Sequence, residues 1–219
     1  MSASISARPS RRPNPRLLAA CAAAAAGLAI TGGGVYAGLN ATAFNTTAQS
    51  ASSGTLSLTM ANNGAGFGQG ISNLAPGDVV NRYITLTQGA VLDGKDLTLG
   101  VTDGTPTLLT TSATKGLHAT VTSCSTSWTP GTGAGTCGGT TNILLASTPL
   151  STLTAGPVSV KAGANAASTV LNLQISVALP DQTETVSNGT APAGTIQGLS
   201  SALTWTFGET QRTATVSGS

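Results

Sequence analysis

The chain has 219 residues, 7% of them charged and 3% aromatic, with a formal net charge of +2. Low charge favours a folded chain over a disordered one. One histidine, three cysteines and seven acidic residues leave little for acid–base or metal chemistry.

The N-terminus opens on Arg8, Arg11, Arg12 and Arg16, followed by an uncharged run from Leu17 to Phe44. A basic stretch, an apolar stretch and then small residues is the order of a secretion signal. The sequence therefore predicts a cleavable N-terminal signal helix over residues 1–43, cut between Ala43 and Phe44 after the A-x-A pattern Ala41-Thr42-Ala43. Val35-Tyr36-Ala37 offers a second cut, between Ala37 and Gly38. The run is long enough to span a bilayer. It is rich in Ala and Gly, though, and Gly32, Gly33, Gly34 and Asn40 weaken the helix, so cleavage is expected and membrane contact is confined to the uncleaved leader. Leu18-Ala19-Ala20-Cys21 has the look of a lipidation box, but its Cys precedes most of the apolar stretch.

Removing the leader removes four arginines, and five basic against seven acidic residues then leave a net charge of −2. No Lys/Arg cluster remains to neutralise phosphates, so a nucleic-acid partner is not expected. Residues 44–219 suit one domain.

After the leader the hydrophobic period is two. Leu56, Leu58 and Met60 alternate with Thr and Ser in Thr55–Met60; Val80, Ile84 and Leu86 share a face in Val79–Thr87, interrupted by Arg82. Leu97–Thr102 and Leu117–Thr122 repeat the pattern, and Val170–Leu179 carries its longest run. Leu199, Leu203, Trp205 and Phe207 share the last clear face, which turns Trp205 inward. Ile143–Ala146 is a short apolar run of open register, and Val158–Val160 and Thr213–Val216 read as edge strands. Ala75-Pro76-Gly77-Asp78, Asp93-Gly94, Asp103-Gly104 and Asn188-Gly189 mark turns. Short alternating strands with frequent turns predict an all-β fold, a two-sheet antiparallel sandwich, with a long loop over 181–194.

Cys21 leaves with the leader, so Cys124 and Cys137 form an even pair, expected as a disulfide in an exported chain. The loop they close contains Trp128, which reads as an exposed aromatic able to contact a glycan or cell-wall ligand.

Little else carries chemistry. His118 falls on the polar side of its strand, and neither an H-E-x-x-H nor a G-x-S-x-G motif is present, so no catalytic residue is expected. Asp93, Asp96 and Asp103 lie close in sequence and suit either turns or Ca²⁺, with turns preferred. No cofactor is expected. Gly64 to Gly70 reads as a flexible loop, and Asn40, Asn45 and Asn188 open glycosylation sequons.

Several of these segments, taken in order, resemble a known family. Phe44-Asn45, then Ser53-Gly54-Thr55-Leu56-Ser57-Leu58, then Ser72-Asn73-Leu74-Ala75-Pro76-Gly77-Asp78 is similar to the start of mature TasA/camelysin-family proteins. Gln197-Gly198-Leu199 and Trp205 through Gln211 resemble that family's last core strand. The departures are Ser57 where the family carries Asp, Gln88-Gly89-Ala90 where it carries N-N-G, and the Cys124–Cys137 loop. The resemblance implies a jelly-roll sandwich, export with a dedicated signal peptidase, and self-association into extracellular fibres or biofilm matrix, with or without a sister matrix protein. In such fibres the N-terminal segment of one subunit completes a sheet of the next. Here that donor strand would be Phe44, Asn45, Thr46, Thr47 and Ala48 within the polar, charge-free segment 44–53. Some relatives are described as metallopeptidases, an activity for which a single His and no H-E-x-x-H supply no residues. The expectation is a secreted structural protein, with a glycan-binding module as the alternative.

Overall fold

Alternation of aliphatic and polar residues builds ten strands in the computed structural model, which describes residues 52–64, 66–68 and 71–216. The expected leader, both expected cut sites (Ala43/Phe44 and Ala37/Gly38) and the expected donor residues Phe44 to Ala48 lie outside the described residues. All described residues but Ser52 belong to the compact unit Ser53–Ser219.

The strands are β1 (Leu58–Asn63), β2 (Val79–Gln88), β3 (Gly94–Asp103), β4 (His118–Cys124), β5 (Trp128–Thr129), β6 (Thr136–Cys137), β7 (Thr141–Pro149), β8 (Val158–Asn165), β9 (Val170–Ala178) and β10 (Leu203–Gln211). Five form one sheet in the order β1-β2-β9-β4-β7, and three form a second, β10-β3-β8. Every pairing is antiparallel, and neighbours such as β2 and β9 are far apart in sequence, as in a jelly roll. The fold is the expected all-β sandwich.

The core lies between the two inner faces. Leu173, Ile175 and Val177 of β9 face Leu97 and Leu99 of β3, all 0% exposed. Each such side chain contributes roughly 1.5–3 kcal/mol by leaving water. The expected Pro76-Gly77 turn is present: Asp78 N–H donates to the Ala75 carbonyl at 2.9 Å, and Gly77 has φ +90°.

Four differences from the sequence pattern have local causes. The first strand starts at Leu58 and not at Thr55. The last ends at Gln211, after which Arg212 N–H donates to the Asp93 carbonyl and Thr213–Val216 adds no strand. β7 shifts register twice against β4, so its apolar residues rotate between faces and Ile143 is left 65% exposed. Two short helices, Leu108–Thr111 and Leu150–Ala155, escape a periodicity argument because each spans under two turns. The second buries Leu150 and Leu153 at the mouth of the core.

The segment between Cys124 and Cys137 lies at the surface as expected, apart from Trp128 and Gly135, and folds into a hairpin. The two cysteines form a disulfide with Cα atoms 5.8 Å apart, and the enclosed β5–β6 hairpin lies over the outer face of the five-stranded sheet. Trp128 is 6% exposed there, its ring centroid 5.8 Å from that of Tyr83, and its indole N–H donates to the Asn172 carbonyl at 3.2 Å. Gly135 N–H donates to the Tyr83 hydroxyl, and a side chain at Gly135 would collide with that hydroxyl. Asn63 Nδ2 donates to the Trp128 carbonyl at 2.8 Å, which ties the hairpin to the end of β1. Trp128 is thus a packing residue, and the exposed-aromatic reading is corrected.

If β9 is the centre of the core, Ile175→Ala should cost about 2–5 kcal/mol in urea unfolding. A cost below about 1 kcal/mol would place the core elsewhere.

Candidate functional site

β1 and β10 are edge strands of different sheets, each hydrogen-bonded on one side only among the described residues. Between them the sandwich is open. A cavity of about 210 Å³ lies under Leu58, Met60 and Leu86 of the first sheet and Trp205 and Phe207 of the second. Further along the same seam is a larger cavity of about 620 Å³, which shares Trp205. Its apolar wall includes Ile71, Leu74, Leu117, Val177, Leu199 and Leu203, and Arg82 and Glu184 also line it.

Phe67 lines the larger cavity beside Trp205. It sits in a single 3-10 turn, Gly66–Gly68, and stacks on Trp205 with centroids 5.2 Å apart and planes 11° apart. The turn requires Gly66: its φ is +47°, and a Cβ there would meet the Asn62 side chain at 2.2 Å. The glycine-rich stretch expected as a plain loop therefore delivers an aromatic ring to the seam. Trp205 faces inward as expected, half-buried.

Two carboxylates shape the rim of the larger cavity. Asp103, at the end of β3, accepts from Thr110 Oγ1 at 2.6 Å, Thr105 N–H at 2.9 Å and Ala202 N–H at 3.1 Å. Burial alone would raise its pKa, but these donors, with the Ser201 hydroxyl, outweigh it and hold Asp103 below the usual carboxylate range. Glu184 belongs to the long loop expected over 181–194. The Thr195 hydroxyl, aided by Lys115 3.7 Å away, lowers its pKa against the opposing effect of burial. Lys115 Nζ also donates to the Gly194 carbonyl, and Gln182 Nε2 to the Lys115 carbonyl. These contacts pin a segment without regular strands across the mouth.

Asp93, Asp96 and Asp103 do not converge. Asp93 and Asp103 flank the two ends of β3, roughly 30 Å apart at ~3.3 Å per residue. Asp93 and Asp96 instead accept from separate backbone N–H groups in and just after β8: Asp93 from Ala167 at 2.7 Å and Asp96 from Gly163 at 2.9 Å. His118 has Nε2 3.1 Å from the Ala113 carbonyl and Nδ1 3.3 Å from Ser147 Oγ. Among the described residues no three His, Cys, Asp or Glu side chains gather to hold a metal.

Residues 14–107 match the family model described as camelysin metallo-endopeptidase. The match covers β1, β2 and β3 and part of the segment ahead of them, and it agrees with the resemblance read from the motifs. No curated protein matches the chain. The family description implies a metal-dependent peptidase, and the donors present do not fit one: the sole histidine is hydrogen-bonded to a carbonyl and a serine, with no carboxylate on its ring.

Asp103 stabilises the rim only while ionised. A carboxylate with a depressed folded pKa contributes stability that is present above its unfolded value, about 3.9, and lost as pH falls through the folded value. Between pH 5 and pH 2 the wild type should lose more unfolding free energy than Asp103→Asn, which should itself be less stable at pH 7 by about 1 kcal/mol. Equal pH slopes for the two proteins would contradict this role.

Proposed function

Starting from a TasA/camelysin-like chain, we propose that it is an exported, non-enzymatic structural protein whose copies join by strand addition. In this reading a signal peptidase frees segment 44–53, and that segment from one copy pairs with the outer edge of β1 of the next. The product is an extracellular fibre or matrix.

The observation that supports it is the state of the four sheet edges. Natural sheets blunt their edges with bulges, charges and prolines, because unpaired N–H and C=O groups recruit further strands. β7 has two register shifts and ends in Pro149. β8 has two shifts and carries Lys161. β10 is shifted between Gly208 and Thr210, with Glu209 at the irregularity. β1, with sequence LTMANN, pairs with β2 in unbroken register and has no charge, proline or bulge. It also borders the apolar seam, so an added strand would gain backbone hydrogen bonds along its length and bury side chains over Met60, which is 47% exposed. Segment 44–53 is uncharged and joins the chain just ahead of β1.

Electron microscopy of protein beginning at Phe44 should reveal fibres, and protein beginning at Gly54 should remain monomeric. Met60→Lys should also suppress fibres while leaving the melting transition within about 0.5 kcal/mol of wild type. Persistent monomers with the tail intact, or fibres unaffected by both changes, would refute the proposal.

A further inference from the structure

Arg82 reaches the larger cavity near the start of β2, and at the far end of the same strand Gln88 also points into the sandwich. Gln88 is 1% exposed, and beside it lies Asn165 of β8, 2% exposed. Asn165 Nδ2 donates to Gln88 Oε1 at 3.4 Å and to Glu209 Oε2 of β10 at 3.1 Å. Gln88 Nε2 donates to the Leu92 carbonyl at 3.0 Å. The donors of this cluster are therefore directed at oxygens, and two oxygens are left over. Asn165 Oδ1 and Glu209 Oε1 are buried and have no hydrogen-bond partner.

The site is built closely around that carboxylate. A Cβ on Gly94 would lie 2.3 Å from Glu209 Oε2, so any larger residue there would push the carboxylate from its place. Asp93, next to Gly94, adds a second half-buried acid. The Lys95–Asp96 and Lys115–Glu184 ion pairs do not reach Glu209. A buried acceptor oxygen left without a partner costs free energy. A cation met by side-chain oxygens satisfies both orphaned acceptors together.

We propose that Glu209, Asn165 and Gln88, with Asp93 alongside, form a structural site for a hard, oxygen-seeking cation of the calcium class. The donors are carboxylate and amide oxygens without imidazole or thiolate, which suits calcium over zinc or copper. Water completes the six to eight ligands calcium takes. Glu209 and Asn165 come from the three-stranded sheet and Gln88 from the five-stranded one, so the ion joins the two sheets across the end of the core. This inference does not depend on fibre formation.

The test is calorimetric titration and thermal melting of the purified protein, stripped with EDTA and then given calcium chloride, with magnesium chloride at equal ionic strength in parallel. One saturable site is expected, with a melting temperature about 5–10 °C higher at a hundredfold excess over the dissociation constant. Glu209→Gln keeps the shape and supplies an N–H for Asn165 Oδ1. It should lose the calcium response and melt, in EDTA, at or above the wild-type temperature. Asn165→Asp should respond at lower calcium, and Asp181→Asn, in the exposed loop, should respond as wild type does. A wild type indifferent to calcium, or a Glu209→Gln protein that still responds, would overturn the site.

Discussion

Backbone along β1 that no described strand pairs on its outer side, placed over an apolar gap, is the constraint on which the architecture depends. A sandwich of two sheets has four edges, and a barrel closes them by pairing the last strands together. Here β1 and β10 stand on either side of a seam and do not pair. With 3% aromatic residues, the chain has few side chains large enough to fill that seam. Trp205, stacked on Phe67, fills part of it and lines both of the cavities that remain.

The rest of the molecule supports that opening. β9 is paired on both sides and carries fully buried aliphatic residues, so the five-stranded sheet has a rigid centre. The disulfide-closed hairpin lies on the other face of the same sheet and hydrogen-bonds Asn63 at the end of β1. Asp103 and Glu184 hold the loops that frame the larger cavity. The edge is thus held in place by contacts remote from its own unpaired side.

The sequence was most legible where alternation was unbroken. β3, β4 and β9 fall where period two put them, and β2 does so although Arg82 interrupts its apolar face. β7 was blurred by its register shifts, which move the apolar residues off a single face. Trp128 was misread because a loop rich in Gly and Thr gives no sign that it folds back onto Tyr83. The acids Asp93, Asp96 and Asp103 are neighbours in sequence but not in space, as an extended strand separates residues ten apart. The converse holds for Gln88, Asn165 and Glu209: they meet only after three strands from two sheets are in place, so no local motif announces them.

The most direct measurement is a helical reconstruction by cryo-electron microscopy of assembled protein, at a resolution that traces the backbone. The account predicts a strand from a neighbouring copy, residues 44–53, hydrogen-bonded along Leu58–Asn63 on the side away from β2. A fibre in which that side of β1 faces solvent, or in which copies join through β7, β8 or β10 alone, would contradict it.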